Sequence, residues 1–133
     1  MIVRFATDSD KLRAVRSIQR NQTSYNTTAQ MKEDIACGRL LVVEDNGKLL
    51  GSCALVEESS YGYTAIKRLM VYSKRSRRKG VATALITYAC SLGLGTVGAT
   101  PWEDNVSARS LFEKMGFEFQ YQFGKYCYYK KEN

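Results

Sequence analysis

The sequence predicts a mixed α/β fold of the α+β class, with elements in the order βααβββαβαββ and helices on the faces of one sheet. Three observations predict it. Two apolar runs flank Asp45-Asn46-Gly47-Lys48, helical apolar spacing recurs along the chain, and the C-terminal part alternates aromatic and polar residues across a turn. At 133 residues the chain is long enough for one core and too short for two ordinary domains, so residues 1–133 are read as a single domain.

Ile2 to Ala6 reads as a short strand. Thr7 to Gln19 reads as a helix: Thr7 can cap it, Asp10 stands three residues on, and Leu12, Val15 and Ile18 share a face. After the polar stretch Arg20 to Asn26, Thr27 with Gln30 resembles a capping box for a second short helix, stopped by Gly38. Leu40 to Val43 and Leu49 to Val56 read as strands joined at Asn46-Gly47, because both residues of such a turn must accept positive φ. A further strand runs from Tyr63 to Tyr72. Gly80 to Leu92 is helical, with Val81, Ala84, Leu85, Tyr88 and Leu92 on one stripe and Ala82, Ile86 and Cys90 on a second. Thr96 to Thr100 reads as a buried strand. Asn105 to Met115 is a helix whose Ala108, Leu111, Phe112 and Met115 follow i, i+3, i+4, i+7. Last, Phe119, Tyr121 and Phe123 alternate, as do Tyr126 and Tyr128, across Gly124-Lys125. Plain sheet packing accounts for this hairpin better than a base-stacking platform does.

Composition narrows the chemistry. Hydrophobic residues are 44% and charged ones 25%, as in an average globular protein. Lys plus Arg number 20 against 13 Asp plus Glu, a net charge of +7 that favours anionic partners. There is no His, which excludes imidazole catalysis and His-ligated metal, and no metal site is expected. Cys37, Cys53, Cys90 and Cys127 form no CxxC pair and read as reduced, mostly buried thiols of a cytoplasmic protein. The first residues, Met1 to Lys11, lack the long apolar run of a signal peptide. Gly80 to Trp102 carries no charge over 23 residues, yet its Gly93, Gly95, Gly98 and Pro101 mark a buried helix, turn and strand, and no membrane span is expected.

The most informative segment runs from Leu69 to Thr83: a strand ends, a basic loop follows, and a helix opens at a small residue. Several N–H groups at a helix N-terminus lack intrahelical partners, and the macrodipole adds roughly +0.5 of a charge there. Gly80 and Ala82 keep side chains out of the way, so a phosphate can reach the amides of Arg78 to Thr83. Five of the six residues Lys74 to Lys79 are basic. A solvated loop, a nuclear localisation signal and a nucleic-acid patch remain alternatives for that run. Walker A is excluded, because Val and Ala follow Gly80, and a Rossmann GxGxxG is missing.

A second constellation, Asn105-x-x-Ala108-x-x-Leu111-Phe112-Glu113-Lys114-x-Gly116-Phe117, lies 25 residues after Gly80. Here the sequence resembles the GNAT superfamily of acetyl-CoA-dependent N-acetyltransferases. Arg77-x-x-Gly80-x-Ala82 is similar to that family's Q/R-x-x-G-x-G/A, and the second motif matches N-x-x-A-x-x-L-Y-E-K-x-G-F at every fixed position but one. The resemblance covers nearly the whole chain. It implies a GNAT-like fold: a central mixed, mostly antiparallel sheet of six to seven strands flanked by about four helices. It also implies acetyl-CoA as cosubstrate, with its pyrophosphate held at Arg77, Arg78, Lys79, Gly80, Val81, Ala82 and Thr83. The strand Met70, Val71, Tyr72 would pair with the pantetheine amides. One of its N–H groups would polarise the thioester carbonyl; alignment on Arg77 selects Met70 and Tyr72, and the L-x-V pattern selects Leu69 and Val71. Asn105 would hydrogen-bond the pantetheine arm beside Ala108, and the same Asn is an equally good helix cap.

The implied reaction moves an acetyl group to a primary amine of a small molecule or peptide by direct attack. Glu57 and Glu58, where the third strand ends, are the candidate bases, with Glu103 and Asp104 next. Where the family has a Tyr as general acid, this chain has Phe112, which cannot donate a proton and suits an apolar face. Tyr72, a water, or Tyr121, Tyr126 or Tyr128 of the hairpin are the replacements. The Phe also motivates the alternative of a catalytically weak acyl-CoA-binding sensor, and nucleic-acid binding through Lys74 to Lys79 is the least favoured reading. Glu33 and Asp34 are read as cation-attracting or ordinary helix-face charges. The expected partners are acetyl-CoA and an amine acceptor, in a monomer or homodimer.

Overall fold

The Asn46-Gly47 turn forms as its sequence demands, with φ of 49° and 77° at the two residues. It joins β2 (Leu40–Asp45) to β3 (Lys48–Glu58), and the run Leu40 to Val43 is buried on both faces of the sheet. The computed structural model describes residues 1–11, 13–16, 25–73 and 80–133. The remaining strands are β1 (Ile2–Phe5), β4 (Tyr63–Val71), β5 (Thr96–Ala99), β6 (Glu118–Phe123) and β7 (Tyr126–Glu132). They form one seven-stranded sheet in the order β1-β2-β3-β4-β5-β7-β6. The β4–β5 ladder is parallel, and β1–β2, β2–β3, β5–β7 and β6–β7 are antiparallel. Helices α1 (Tyr25–Ala36), α2 (Val81–Ser91) and α3 (Val106–Lys114) complete the described elements, with helical backbone also at Lys11 and residues 13–16. This is the mixed, mostly antiparallel fold expected.

The chain divides into two compact units, Met1–Ala54 with Arg68–Leu85, and Leu55–Lys67 with Ile86–Asn133; β3, β4 and α2 each contribute to both. In the first, Ala6, Ala14, Met31, Ile35, Leu40, Val42, Leu49 and Tyr72 form a buried cluster against which Met70 packs. In the second, Val97, Ala99, Cys127 and Tyr129 are buried along β5 and β7, and Phe112 meets Phe117 edge-on at 5.1 Å. By sequence, the first unit carries 14 Lys and Arg against 6 Asp and Glu, and the second 6 against 7. The positive excess thus belongs to one unit.

That first unit also buries two carboxylates. Asp10 accepts from Arg4 Nη1 and Nη2 at 2.7 and 2.9 Å, from Arg13 Nη2 at 2.8 Å and from the Thr7 N–H at 2.7 Å. Arg4 and Arg13 also bind Glu44. Asp34 accepts from Arg39 Nε at 2.7 Å and from Arg68 Nε and Nη2, both at 2.8 Å.

Four local expectations change. The N-terminal helix opens as a 3-10 turn, Asp8–Asp10, behind an extended Thr7, and Leu12 and Ile18 lie outside the described residues. Helix α1 already includes Thr27, so Thr27 is no cap. Asp34 is not a helix-face charge but a buried one, because two of the chain's own guanidiniums satisfy it. The β6 alternation breaks at a bulge between Phe119 and Tyr121: Phe119 pairs with Tyr129 and Tyr121 with Tyr128, on opposite faces. Burial in β7 therefore falls on Cys127 and Tyr129, while Tyr126 and Tyr128 are half-buried.

Candidate functional site

Backbone direction decides which β4 residues can serve a ligand. The β4–β5 ladder consists of Thr64↔Val97, Ala65↔Gly98 and Ile66↔Ala99, so Leu69 to Val71 lies beyond its end. On the β3 side, the Tyr72 N–H donates to the Leu50 carbonyl at 2.9 Å. Along a strand successive residues turn their N–H and C=O to opposite edges. Met70 and Tyr72 therefore face β3, and Leu69 and Val71 face the other edge. A strand edge without a ladder partner is a template for an extended ligand.

Close approach fixes this segment from behind. A Cβ on Gly51 of β3 would stand 2.6 Å from the Met70 carbonyl oxygen and 2.6 Å from Val81 Cγ1. Gly51 thus lets β3, β4 and the start of α2 meet, and no motif in the sequence signals it. Gly51→Ala is expected to destabilise the fold by about 1–3 kcal/mol through overpacking. Urea denaturation measures this; an unchanged midpoint would show that the contact relaxes at no cost.

Gly80 lies at φ +75° with none of the described residues within 4 Å of where a Cβ would be, and its carbonyl accepts the first helical bond, from the Ala84 N–H at 2.9 Å. The N–H groups of Val81, Ala82 and Thr83 consequently have no intrahelical acceptor. Gly80 and Thr83 are exposed, Ala82 is half-buried and Val81 is buried. Arg77, Arg78 and Lys79 lie outside the described residues.

Tyr72 sits in the first unit's core, where burial raises its phenol above the ordinary range while nearby Ser52 opposes the shift. The Tyr72 and Ser52 hydroxyls are both buried, and among the described residues neither makes a hydrogen bond of good geometry. An acid enclosed by core side chains is badly placed to reach a departing thiolate. Burial likewise pushes the Cys53 thiol up to about 12, which makes it inert as a nucleophile at neutral pH.

In the second unit Asn105 caps α3, its Oδ1 accepting from the Ala108 N–H at 3.2 Å. The cap uses only the oxygen, and among the described residues no acceptor binds Nδ2 beside half-buried Ala108. Phe112 is buried against Phe117, completing an apolar face. The Tyr129 hydroxyl, which the sequence did not single out, accepts from Arg109 Nε at 3.1 Å and donates to Glu113 Oε1 at 2.8 Å.

The carboxylates separate clearly. Glu58 is paired with Lys67 at 2.6 Å, and Glu103 accepts from Gln122. Glu57 and Asp104 are exposed, and Glu57 has no ion-pair partner among the described residues. Tyr63, Tyr128, Tyr121, Phe123, Tyr126 and Trp102 form a continuous run of ring contacts at centroid distances of 5.1 to 6.2 Å. Lys125 stands 4.3 Å over Trp102. This run lies in the unit without excess cations, which argues for sheet packing over a nucleic-acid platform. Among the described residues no cluster of three or more metal-ligating side chains occurs, and no helix is long and apolar enough to cross a membrane.

The fold has close relatives of known structure. An acetyltransferase of the GNAT family from Bacillus cereus superposes with a TM-score of 0.87 at 18% identity, over 98% of this chain and 96% of that one. The PaiA N-acetyltransferase from Thermoplasma acidophilum, solved in complex with coenzyme A, gives 0.79 at 13% identity over 99% and 98%. Ard1 from Thermoplasma volcanium gives 0.75 at 23% identity over 97% and 93%. Among curated proteins none matches the chain. The model of the acetyltransferase (GNAT) family matches residues 9–117, more than half the length and including both motifs. With the sheet order, the motifs and this match in agreement, the chain belongs to the GNAT acetyltransferase family.

Proposed function

We propose that residues 1–133 act as one N-acetyltransferase domain that moves the acetyl group of acetyl-CoA to a primary amine of a small molecule or peptide. The observation that carries this reading is the strand edge at Leu69 and Val71, beyond the β4–β5 ladder, followed in sequence by the open helix start at Gly80. The fit is good: a strand edge beyond the β4–β5 ladder suits the pantetheine amides, and first-turn N–H groups suit a pyrophosphate. The direction of the Tyr72 N–H supports Val71, rather than Met70 or Tyr72, as the donor to the thioester carbonyl. Val81, Ala82 and Thr83 hold the diphosphate with Gly80, supplemented by Arg77, Arg78 and Lys79. The family resemblance assigns the Asn105 amide to the pantetheine arm, and Nδ2 carries the donors for that role.

The amine attacks the acetyl carbon, a C–N bond forms, and the C–S bond breaks with the electron pair leaving on sulfur. An alkylammonium of pKa about 10.4 is only about one part in 2,500 neutral at pH 7, a cost of roughly 4.6 kcal/mol. Of the two candidate bases Glu57 is the one we assign to that proton, since Glu58 is already paired with Lys67. No acid is required of Phe112, because a thiol pKa of about 8.5 makes the thiolate a tolerable leaving group. The four unpaired thiols support a reducing, cytoplasmic setting. Either a monomer or a homodimer accommodates this chemistry.

A thiol-release assay with acetyl-CoA and a panel of primary amines tests the proposal. Amine-dependent release of CoA is expected. Acetyl-CoA binding without transfer to any acceptor would support the sensor reading, which the buried Phe112 favours. Salt-dependent RNA or DNA binding that CoA does not displace would overturn both.

A further inference from the structure

Arg68 is a bulky residue in the middle of a strand, yet its φ is +53°. Such a conformation is disfavoured for any residue with a Cβ and persists only where surrounding contacts impose it. The contacts are on the same residue. The Arg68 guanidinium forks onto Asp34, Nε to Oδ2 and Nη2 to Oδ1, both at 2.8 Å. Asp34 is buried on α1 and is itself held by Arg39 Nε at 2.7 Å. Two parallel charge-assisted bonds to a fixed carboxylate leave the Arg68 side chain little freedom to swing with its backbone.

The position of this distortion is informative. The β4–β5 ladder ends at Ile66, Arg68 follows two residues later, and Leu69 and Val71 then turn their N–H groups to the edge beyond that ladder, where no described strand pairs with them. The division between the two units within β4 also falls between Lys67 and Arg68. A left-handed residue re-aims the strand after it. We infer that Asp34 is a positioning residue: by clamping Arg68 it holds the left-handed turn in β4 that aims the Leu69–Val71 backbone at acyl-CoA. This rests on the proposed function, in which that backbone binds the cosubstrate.

The mechanism makes an unusual demand that a simple stabilising ion pair does not. Glycine adopts φ +53° without steric cost, so Arg68→Gly removes the clamp yet keeps the turn, whereas Arg68→Ala removes the clamp and restores the penalty. Both leave Asp34 paired with Arg39, which protects the fold. Acetyl-CoA affinity, measured by calorimetry on proteins whose folding is checked by circular dichroism, should fall about tenfold in Arg68→Ala and stay within about twofold of wild type in Arg68→Gly. Asp34→Asn should lose affinity as Arg68→Ala does, and adding Arg68→Gly to it should restore binding. Equal affinities in Arg68→Ala and Arg68→Gly, or no rescue in the double variant, would overturn the inference. Wild-type protein that does not bind acetyl-CoA would instead overturn the proposed function, so the two failures are distinguishable. If Asp34→Asn does not fold, the Arg68 pair decides alone.

Discussion

Gly80→Asp is expected to reduce acetyl-CoA affinity by about a hundredfold or more while the protein remains folded. Two effects combine. A carboxylate would stand at the opening of α2, among the N–H groups of Val81, Ala82 and Thr83 that lack intrahelical acceptors. At an effective dielectric of about 20, one unit charge roughly 5 Å from another contributes on the order of 3 kcal/mol of repulsion. The carboxylate would also occupy the helix N-terminus in the role proposed for the phosphates. In addition, any Cβ at φ +75° carries about 1 kcal/mol of backbone strain. Gly80→Ala separates the two, because it shares the strain and lacks the charge; its loss should stay near tenfold. Among the described residues nothing lies within 4 Å of a Cβ at Gly80, so the Ala methyl meets no steric clash there. Isothermal calorimetry reads both variants. Wild-type affinity in Gly80→Asp would place the diphosphate elsewhere.

The largest expected effect on stability lies at the other end of the chain. Asp10→Asn should lower unfolding free energy by about 3–5 kcal/mol, because it removes the buried carboxylate that both Arg4 and Arg13 bind. That is a large part of the roughly 5–15 kcal/mol available to a domain. The same residue sets an acid limit. Hydrogen bonding from Arg4 holds the Asp10 carboxyl well below the usual carboxylate range, against the opposing effect of burial, and Thr7 and Arg13 add to it. A depressed folded-state pKa means the stabilisation is complete above the unfolded value of about 3.9 and is lost as pH falls below it. Urea midpoints recorded from pH 7 down to pH 2 should therefore decline steeply below about pH 4 in the wild type and more gently in Asp10→Asn. Parallel declines would mean other carboxylates dominate.

What was legible in the sequence was what neighbours in sequence determine. Asn46-Gly47 specifies its own turn, Asn105 its own cap, and the spacing from Val106 to Lys114 its own buried face. The motif at Gly80 to Ala82 could be read because a helix start needs only its first turn. Pairings between distant residues were not legible. Asp34 and Arg68 are 34 residues apart and Arg4 and Glu44 are 40 apart, and periodicity carries no record of such contacts. The β6 bulge likewise escaped detection, since alternation of Phe119, Tyr121 and Phe123 reads the same with or without an extra residue between pairs. Which residues of β4 turn their N–H groups away from β3 also rests on a single hydrogen bond, from Tyr72 to Leu50, that the sequence does not announce.

The uneven distribution of ionic residues between the two units has a kinetic meaning. A molecule with the same total charge spread evenly would attract polyanions from all directions and orient none of them. Here the attraction originates in the unit that contains the opening of α2, and the other unit is almost neutral. For the diphosphate site proposed at the opening of α2, long-range forces would favour productive encounters over random collisions, an advantage that dissolved electrolyte weakens over a distance of about 8 Å at physiological ionic strength.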